Sequence, residues 1–253
     1  VGRIQKPNVD SNPALRHVSR FLCPMKVLRP TDADYAEKLA ALNRRAEASD
    51  AVRELVTDVI GQIRERGDTA LFELTERFDK AQLTRETLRV SSGELDCAWD
   101  QASEELAIAL EAAHRNVTAF AKAGLRKDWT ITNEQGAIVG EVFHPFERVG
   151  VYVPGGTAPL VSTAIMTVTL AASAGVPEIV VCTPCGPDGS VNPGLLAALK
   201  LAGATEVYKV GGAQAIAAMA YGTESIAPVA KIFGPGNSYV VEAKRQAFGV
   251  VSI

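Results

Sequence analysis

The chain has 253 residues, of which 47% are hydrophobic, 22% charged and 6% aromatic, a balance typical of ordinary globular proteins rather than disordered or fibrous ones. Its formal net charge of -3 gives no electrostatic footprint for nucleic acid or an anionic membrane surface. The longest apolar run, 176–182, is interrupted by Pro177 and Glu178 and is too short to span a bilayer. We therefore expect a soluble protein with no nucleic-acid and no membrane partner.

Residues 1–24 differ from the rest of the chain, with scattered prolines and basic residues and no periodicity, and we expect a mobile tail there. This stretch lacks the apolar core of a secretory signal. The four cysteines, at positions 23, 97, 182 and 185, do not form a disulfide framework in a chain of this length, so we expect a cytoplasmic protein. Cys182 and Cys185 form a C-x-x-C pair, but the prolines and glycines around it indicate an irregular loop rather than a redox or metal site.

Residues 25–148 are predicted to form a helical, incomplete first α/β domain. A capping-box-like start at Thr31 predicts a helix to about Ala48, and Ser49 caps a second helix that ends at Gly67. A third, long helix follows Ser91 or Ser92. Apolar residues recur at helical spacing in these segments and are predicted to be core: Val52, Leu55, Val56, Val59, Ile60, Ile63, Leu71, Leu74, Phe78, Leu106, Leu110, Ala113, Val117 and Phe120.

The period changes at Trp129. Residues 129–132 and 137–143 read as two extended segments around a turn at 133–136, which predicts a hairpin. His144 then begins a proline-bearing connector, and we place a domain boundary between residues 148 and 149. His114 and His144 have no second ligand at metal-binding spacing, and we interpret them as a helix-surface and a connector histidine.

From residue 149 to 253 the order is strand, helix, strand, helix, repeated in four units. Strands are predicted at 150–153, 178–183, 206–210 and 231–233, with helices at 160–174, 193–202, 213–221 and 238–248. Parallel strands need helical crossovers, so this half should be a Rossmann-like parallel sheet with helices on both faces. The predicted fold class is thus α/β, with a helical amino-terminal region followed by that sheet.

Three of the predicted strands end in small-residue turns: Val153-Pro-Gly-Gly156, Val210-Gly-Gly-Ala-Gln214 and Phe233-Gly-Pro-Gly-Asn237. In an open α/β sheet the ligand binds outside the carboxyl ends of the strands, so these turns should meet at one crevice. None matches the G-x-G-x-x-G or P-loop fingerprint. A small-molecule site is therefore predicted here, without a standard nucleotide motif.

These residues together closely resemble the histidinol dehydrogenase family. The resemblance rests on Gly150-Val-Tyr-Val-Pro-Gly-Gly156, Val210-Gly-Gly-Ala-Gln-Ala-Ile-Ala217, Tyr221-Gly-Thr-Glu-Ser225, Lys231-Ile-Phe-Gly-Pro-Gly-Asn237 and Glu242-Ala-Lys-Arg245. Arg66-Gly-Asp68 and Phe78-Asp79 also look like the family's amino-terminal region. The resemblance runs from about Met25 to the last residue.

This resemblance implies an NAD-dependent, zinc-containing homodimer that oxidises L-histidinol through the aldehyde to L-histidine in two hydride transfers. Tyr152, Gln214 and Asn237 match the family's NAD-contacting positions. Their residue types suit that role, because a tyrosine ring can lie on the cofactor with its hydroxyl in water, and amides offer donors and acceptors. The structural alternatives are a strand-end core tyrosine, an exposed glutamine and a helix N-cap asparagine.

The family's zinc ligands and its Glu-His acid/base pair occur in motifs that this chain does not contain, and none of His17, His114 and His144 lies in a matching motif. We therefore expect no catalytic and no metal-binding residues in the chain, which would represent an amino-terminal portion of a family member and be inactive alone. An exposed apolar surface on the amino-terminal half, or a partner that covers it, should follow. Two alternatives stay open: a dehydrogenase of the same fold for another small alcohol, such as a sulfonated diol, and a non-catalytic nucleotide-binding or assembly protein.

Overall fold

A computed structural model describes residues 27–42, 48–155 and 160–253. The chain divides between residues 47 and 48 into two compact units. In the first, the helix predicted from Thr31 appears as α1 (Tyr35–Leu42), and none of its eight residues is buried. Three segments lie outside the described residues: 1–26, which includes the predicted tail, 43–47, and 156–159, which includes Gly156 of the first glycine turn.

The second unit, residues 48–253, contains nine helices and six strands among its described residues, so the boundary placed between residues 148 and 149 stays a prediction. The helices are α2 (Asp50–Arg66), α3 (Asp68–Asp79), α4 (Arg85–Leu88), α5 (Ser92–Asp100), α6 (Glu104–Ala123), α7 (Val161–Ser173), α8 (Pro193–Ala202), α9 (Gly212–Tyr221) and α10 (Ser238–Ala247). The strands are β1 (Trp129–Thr132), β2 (Ile138–Glu141), β3 (Arg148–Tyr152), β4 (Glu178–Cys182), β5 (Glu206–Tyr208) and β6 (Lys231–Phe233). All eight elements predicted after residue 149 are present.

Strands β3 to β6 form one parallel sheet in the order β5-β4-β3-β6. Successive residues of a strand point to opposite faces, and here both faces are apolar. Tyr152, Val180 and Ile232 pack with α2, α3, α9 and α10, whereas Val151 and Val181 pack with α5 to α8. The predicted parallel sheet with helices on both faces is confirmed.

The amphipathic stripe predicted for the second helix is also confirmed. Ser49 caps α2 by accepting a hydrogen bond from the Val52 N–H (3.3 Å), and Val56, Val59 and Ile63 are buried. This apolar stripe packs against α9 and α10, two helices on one side of the sheet, so α2 forms part of the helical layer on that side.

The third predicted helix differs from the expectation in two ways. It is broken into α5 and α6 because Ser103 caps a new helix, accepting from the Leu106 N–H (3.2 Å). Its predicted apolar face is only partly core: Leu110 is buried, but Ala113 is exposed and Phe120 is 80% exposed. Helical spacing identified a shared face correctly but could not show how far the neighbouring α7 and α8 extend along it.

The predicted hairpin is present as β1 and β2, an antiparallel pair in which Trp129 lies opposite Glu141. The Asn133 side chain accepts hydrogen bonds from the N–H groups of Gln135 and Ala137, which fixes the turn. Both strands are exposed along their whole length. Within the described residues, no helix combines the length and the apolar character that a membrane crossing requires.

Candidate functional site

A cavity of about 790 Å³ lies at the carboxyl ends of the sheet strands. In the strand order β5-β4-β3-β6, the chain runs from β3 to β4 and β5 on one side of β3 and then crosses to β6 on its other side. The carboxyl end of β3 is therefore the switch point, which is where open α/β sheets bind ligands. The three glycine turns predicted to converge all contribute. The lining residues are Leu55, Val56, Val59, Phe78, Asp79, Tyr152, Pro154, Gly155, Thr183, Pro184, Cys185, Gly186, Ser190, Val191, Asn192, Leu195, Gly212, Ala213, Gln214, Asn237 and Tyr239.

Tyr152, the last residue of β3, lines the cavity and is only 4% exposed. Its hydroxyl oxygen accepts a hydrogen bond from the Gly212 N–H (3.0 Å), at the start of α9. Burial raises the pKa of Tyr152 to about 12, so the phenol stays neutral. The expectation that this hydroxyl remains in water is therefore not met: Tyr152 is a strand-end core residue that also presents its side chain to the cavity.

Gln214 lies in the first turn of α9 and is 1% exposed, so the alternative of an exposed glutamine is wrong. Its amide nitrogen, Nε2, is buried and has no hydrogen-bond partner among the described residues. A buried NH₂ group without an acceptor is costly in a folded protein. Because Gln214 lines the cavity, a ligand can supply that acceptor.

Asn237 is the N-cap of α10, as its structural alternative proposed. Its side-chain oxygen accepts hydrogen bonds from the N–H groups of Tyr239 and Val240, both at 3.1 Å. The residue also lines the cavity. The cap uses the amide oxygen, which leaves the amide nitrogen as the donor that Asn237 can offer a ligand.

The turn after β4 is a part of the site that sequence reasoning missed, having treated it as an irregular loop. Thr183 is fully buried, and its Oγ1 has no hydrogen-bond partner among the described residues. The Pro184 ring fills the space beside Gly155 and Gly211, where a Cβ on either glycine would collide with it. Pro184 thus locks the turns after β3, β4 and β5 together, which explains why two of these glycines are needed.

Asp79, the last residue of α3, is the second missed residue. It is half-buried, lines the cavity, and its Oδ2 is buried without a hydrogen-bond partner among the described residues. Burial raises the pKa of Asp79, and the neighbouring Gly211 N–H offsets part of this shift. The sequence holds one signal: Leu71, Thr75 and Asp79 follow each other at i+4 spacing, so a carboxylate continues the buried row of α3.

The cysteine pair shows no sign of redox or metal chemistry. Burial raises the pKa of Cys182 to about 12 and also raises the pKa of Cys185, so both thiols are protonated at neutral pH. The Cys185 thiol lies 3.6 Å from the Lys209 carbonyl oxygen. Throughout residues 27–42, 48–155 and 160–253, no three His, Cys, Asp or Glu side chains are arranged to hold a metal ion. His114 is half-buried beside Thr118 and His144 is exposed.

Three helices of ten residues begin at this cavity: α8 at its N-cap Asn192, α9 beside Gly212 and α10 at its N-cap Asn237. The start of a helix is the positive end of its dipole, which favours anionic groups such as phosphates, although Asn192, Tyr152 and Asn237 already accept hydrogen bonds from some of the first N–H groups here. Apolar side chains from α2 and Phe78 form another wall. The cavity can therefore hold an elongated ligand with an anionic part, an apolar ring, and hydroxyl or amide groups.

Comparison with known proteins gives the family directly. The sequence model of the histidinol dehydrogenase family matches residues 42–253. Histidinol dehydrogenase of Agrobacterium fabrum is 44% identical over 227 residues, and that of a Synechococcus species is 45% identical over 223 residues. A crystal structure of histidinol dehydrogenase from Elizabethkingia anophelis superposes with a TM-score of 0.79 at 38% identity.

The match covers most of this chain but only about half of each relative. It covers 89% of this chain and 52% of the Agrobacterium protein, 86% and 51% for Synechococcus, and 86% and 50% for the Elizabethkingia structure. The chain thus spans about half the length of the relatives that it matches. The sequence and the fold both match, and the chain belongs to the histidinol dehydrogenase family.

Proposed function

We propose that this chain forms the NAD-binding part of a histidinol dehydrogenase, an oxidoreductase that converts L-histidinol through the aldehyde to L-histidine in histidine biosynthesis. The observation that carries the proposal is the convergence of Tyr152, Gln214 and Asn237 on one cavity at the switch point of the sheet. All three match the cofactor positions that the family resemblance implies. We further propose that the protein acts as a cytoplasmic homodimer.

The residues present fit NAD. The cavity volume of about 790 Å³ lies within the usual range for small-molecule and cofactor sites. Three buried polar atoms of its lining, on Asp79, Thr183 and Gln214, have no partner among the described residues and need one. Gln214 would donate its amide hydrogens, Asn237 would donate from its amide nitrogen, and the Tyr152 side chain would pack against the cofactor. Bound NAD supplies the hydride acceptor for each oxidation step.

Zinc and general acid/base groups are also implied by the family resemblance. Within the part of the chain that the structure describes, no set of three potential ligands fits a metal, so we assign no reaction step to zinc here. Catalysis of both oxidations needs a positioned base, and neither described histidine lies in the cavity. We propose that the 253-residue chain by itself binds NAD without turnover, which formation of NADH on addition of histidinol would refute.

Calorimetric titration of the purified chain with NAD tests the binding proposal. Gln214→Ala removes the unpartnered amide and should weaken NAD binding by about tenfold or more, the usual effect of a lost buried hydrogen bond. Gln135→Ala, in the exposed hairpin turn, is the matched control and should leave the affinity unchanged. The proposal fails if the wild-type chain binds no NAD, or if both variants bind it as tightly as wild type does.

A further inference from the structure

Lys244 is a buried charge that the proposed function does not use. It lies on α10, is 9% exposed, and shares the inward face of that helix with Val240, Ala243 and Ala247. Burial lowers the pKa of its ammonium group, and no carboxylate of the described residues pairs with it to offset that shift. The buried charge therefore costs folding free energy that an apolar side chain of similar length, such as methionine, would not cost.

The Lys244 ammonium donates a hydrogen bond to the Gly234 carbonyl oxygen, in the turn between β6 and α10. Side chains of a helix lean toward its N-terminus, so Lys244 reaches back past Val240, one turn earlier, toward the turn from which α10 starts. Among the described residues, this carbonyl oxygen is the only acceptor that the ammonium has. The buried charge is thus directed at one point of the backbone.

Gly234 is packed against the backbone of Tyr152 at the end of β3. Its φ of +110° lies in the region that favours glycine, and a Cβ there would lie 2.2 Å from the Tyr152 carbonyl oxygen. Because Gly234 packs directly on β3, the hydrogen bond from Lys244 ties α10 to the end of that strand. The Tyr152 hydroxyl ties the start of α9 to the same strand end through the Gly212 N–H.

Asn237 is fixed to α10 by contacts of its own. Its side-chain oxygen accepts from two N–H groups in the first turn of the helix, and the preceding Gly236 packs so closely that a Cβ there would collide with Val240. These contacts set the position of Asn237 relative to α10. The Lys244 hydrogen bond helps to set α10, and Asn237 with it, relative to Tyr152.

On the proposed function that this cavity binds NAD, we propose that Lys244 is a positioning residue for the cofactor site. Its ammonium holds the turn after β6 against β3 and so sets the distance between the Asn237 amide and the Tyr152 side chain across the cavity. Lys244 is not among the described residues that line the cavity, so it acts through Asn237 rather than by touching the cofactor. A costly buried charge is typical of a functional region rather than of a core optimised for stability.

A double-mutant cycle on the full 253-residue chain tests this role, with NAD affinity measured by titration calorimetry. Lys244→Met keeps the length of the side chain and removes the donor, whereas Asn237→Ser keeps a capping oxygen and removes the amide. Each variant should weaken NAD binding about tenfold, and the double variant should be no more than about twofold weaker than either, because both changes act on the same contact.

Stability measurements separate positioning from a general effect on the fold. Thermal melting of Lys244→Met should show little change, since removal of a buried charge offsets the lost hydrogen bond. Lys244→Leu serves as a second apolar variant. Ala247→Gly, in the last turn of α10, destabilises the helix away from the turn after β6 and should leave NAD affinity unchanged.

The outcomes separate the two proposals. Folded Lys244 variants that bind NAD as tightly as wild type, or a double variant about a hundredfold weaker than wild type, overturn the positioning role and leave the proposed function standing. The positioning role also fails if Ala247→Gly weakens binding as much as Lys244→Met does. A wild-type chain that binds no NAD overturns the proposed function and this inference with it.

Discussion

Tyr152 shows how one residue can serve both the fold and the site. Its hydroxyl accepts from the Gly212 N–H, which lies in the turn that starts α9, so the side chain ties the end of β3 to the helix that carries Gln214. The geometry of the cavity depends on this bond, because it fixes two of its walls relative to each other.

Tyr152→Phe removes only the hydroxyl and leaves the Gly212 N–H unpaired. We expect the free energy of unfolding to fall by about 1–3 kcal/mol, the cost of one buried donor without an acceptor. Urea denaturation measures it, with Tyr239→Phe as the control because that side chain is 39% exposed. Equal stability of Tyr152→Phe and wild type would contradict the assigned hydrogen bond.

Tyr152 stabilises the fold, whereas the Asp79 carboxylate destabilises it at neutral pH. Burial raises the pKa of this carboxyl above the ordinary value of 3.8. A raised pKa means that the folded chain favours the protonated acid, so the stabilisation present at low pH is lost as pH rises through the folded pKa. The titratable neighbours Tyr152 and Cys185 have raised pKa values too and stay protonated in this range.

Asp79→Asn should therefore stabilise the chain near neutral pH, and the gain should shrink as the pH approaches 3.8. Urea denaturation of both proteins across this range measures the effect. A variant less stable than wild type at neutral pH would show that the carboxylate is held for packing rather than for a ligand. Stability lost to a functional group is common at binding sites.

Two motifs that carry the family resemblance, Arg66-Gly-Asp68 and Tyr221-Gly-Thr-Glu-Ser225, do not line the cavity. They hydrogen-bond to each other, and we call this contact the clamp. Asp68, at the start of α3, accepts hydrogen bonds from the Ser225 N–H (3.1 Å) and hydroxyl (2.6 Å), and from Arg85 (3.1 Å). The Glu224 carboxylate accepts in turn from the Asp68 N–H (2.7 Å) and occupies the space where a Cβ on Gly67 would lie. The clamp joins α3, which carries Asp79, to the loop after α9.

Asp68→Ala should lower the free energy of unfolding by about 1–3 kcal/mol, because the partly buried Ser225 hydroxyl and N–H lose the carboxylate that accepts from them. Burial alone would raise the pKa of Asp68, but hydrogen bonds from Ser225, Thr223 and Arg85 lower it below 3.8. The stabilisation is present above pH 3.8 and is lost as pH falls through the folded pKa, so the variant should also lose part of the acid sensitivity. Asp58→Ala, on the exposed side of α2, is the control, and equal losses in both would refute the clamp.

The orientation of α6 can be tested by a pair of truncations. Leu110 is 4% exposed and Phe120 is 80% exposed, although their spacing predicted a common core face. Leu110→Ala should cost about 2–5 kcal/mol, whereas Phe120→Ala should change stability by less than about 0.5 kcal/mol. Denaturant titration distinguishes them, and a large loss for Phe120→Ala would mean that the helix face is buried against something else in solution.

For the whole molecule, sequence pattern predicted the strands and helices after residue 149 because a parallel strand buried on both faces, such as 178–182, reads as a short apolar run bounded by glycine and proline. Apolar spacing alone did not predict the break at Ser103, although an N-cap serine is a local signal, and it could not predict the exposure of Phe120, which depends on the packing of neighbouring helices. Asp79 and Thr183 were not predicted as site residues because neither belongs to a recognisable local ligand-binding motif. Only the packed fold places their polar atoms at the cavity.

The exposed apolar surface expected on the amino-terminal half is present in the second unit. Hairpin side chains such as Ile131 and Ile138, together with Ile108 and Phe120 of α6, are more than half exposed. The described residues that line the cavity proposed to bind NAD all lie between Leu55 and Tyr239 of the same unit.

We propose above that NAD binds at the switch point between β3 and β6. A crystal structure of the chain with saturating NAD tests it most directly. We expect the cofactor in the cavity, in contact with Tyr152, Gln214 and Asn237, with its pyrophosphate at the start of one of the helices that begin there. An empty cavity, or NAD bound on another surface with these three residues untouched, would show that the cavity is not the NAD site.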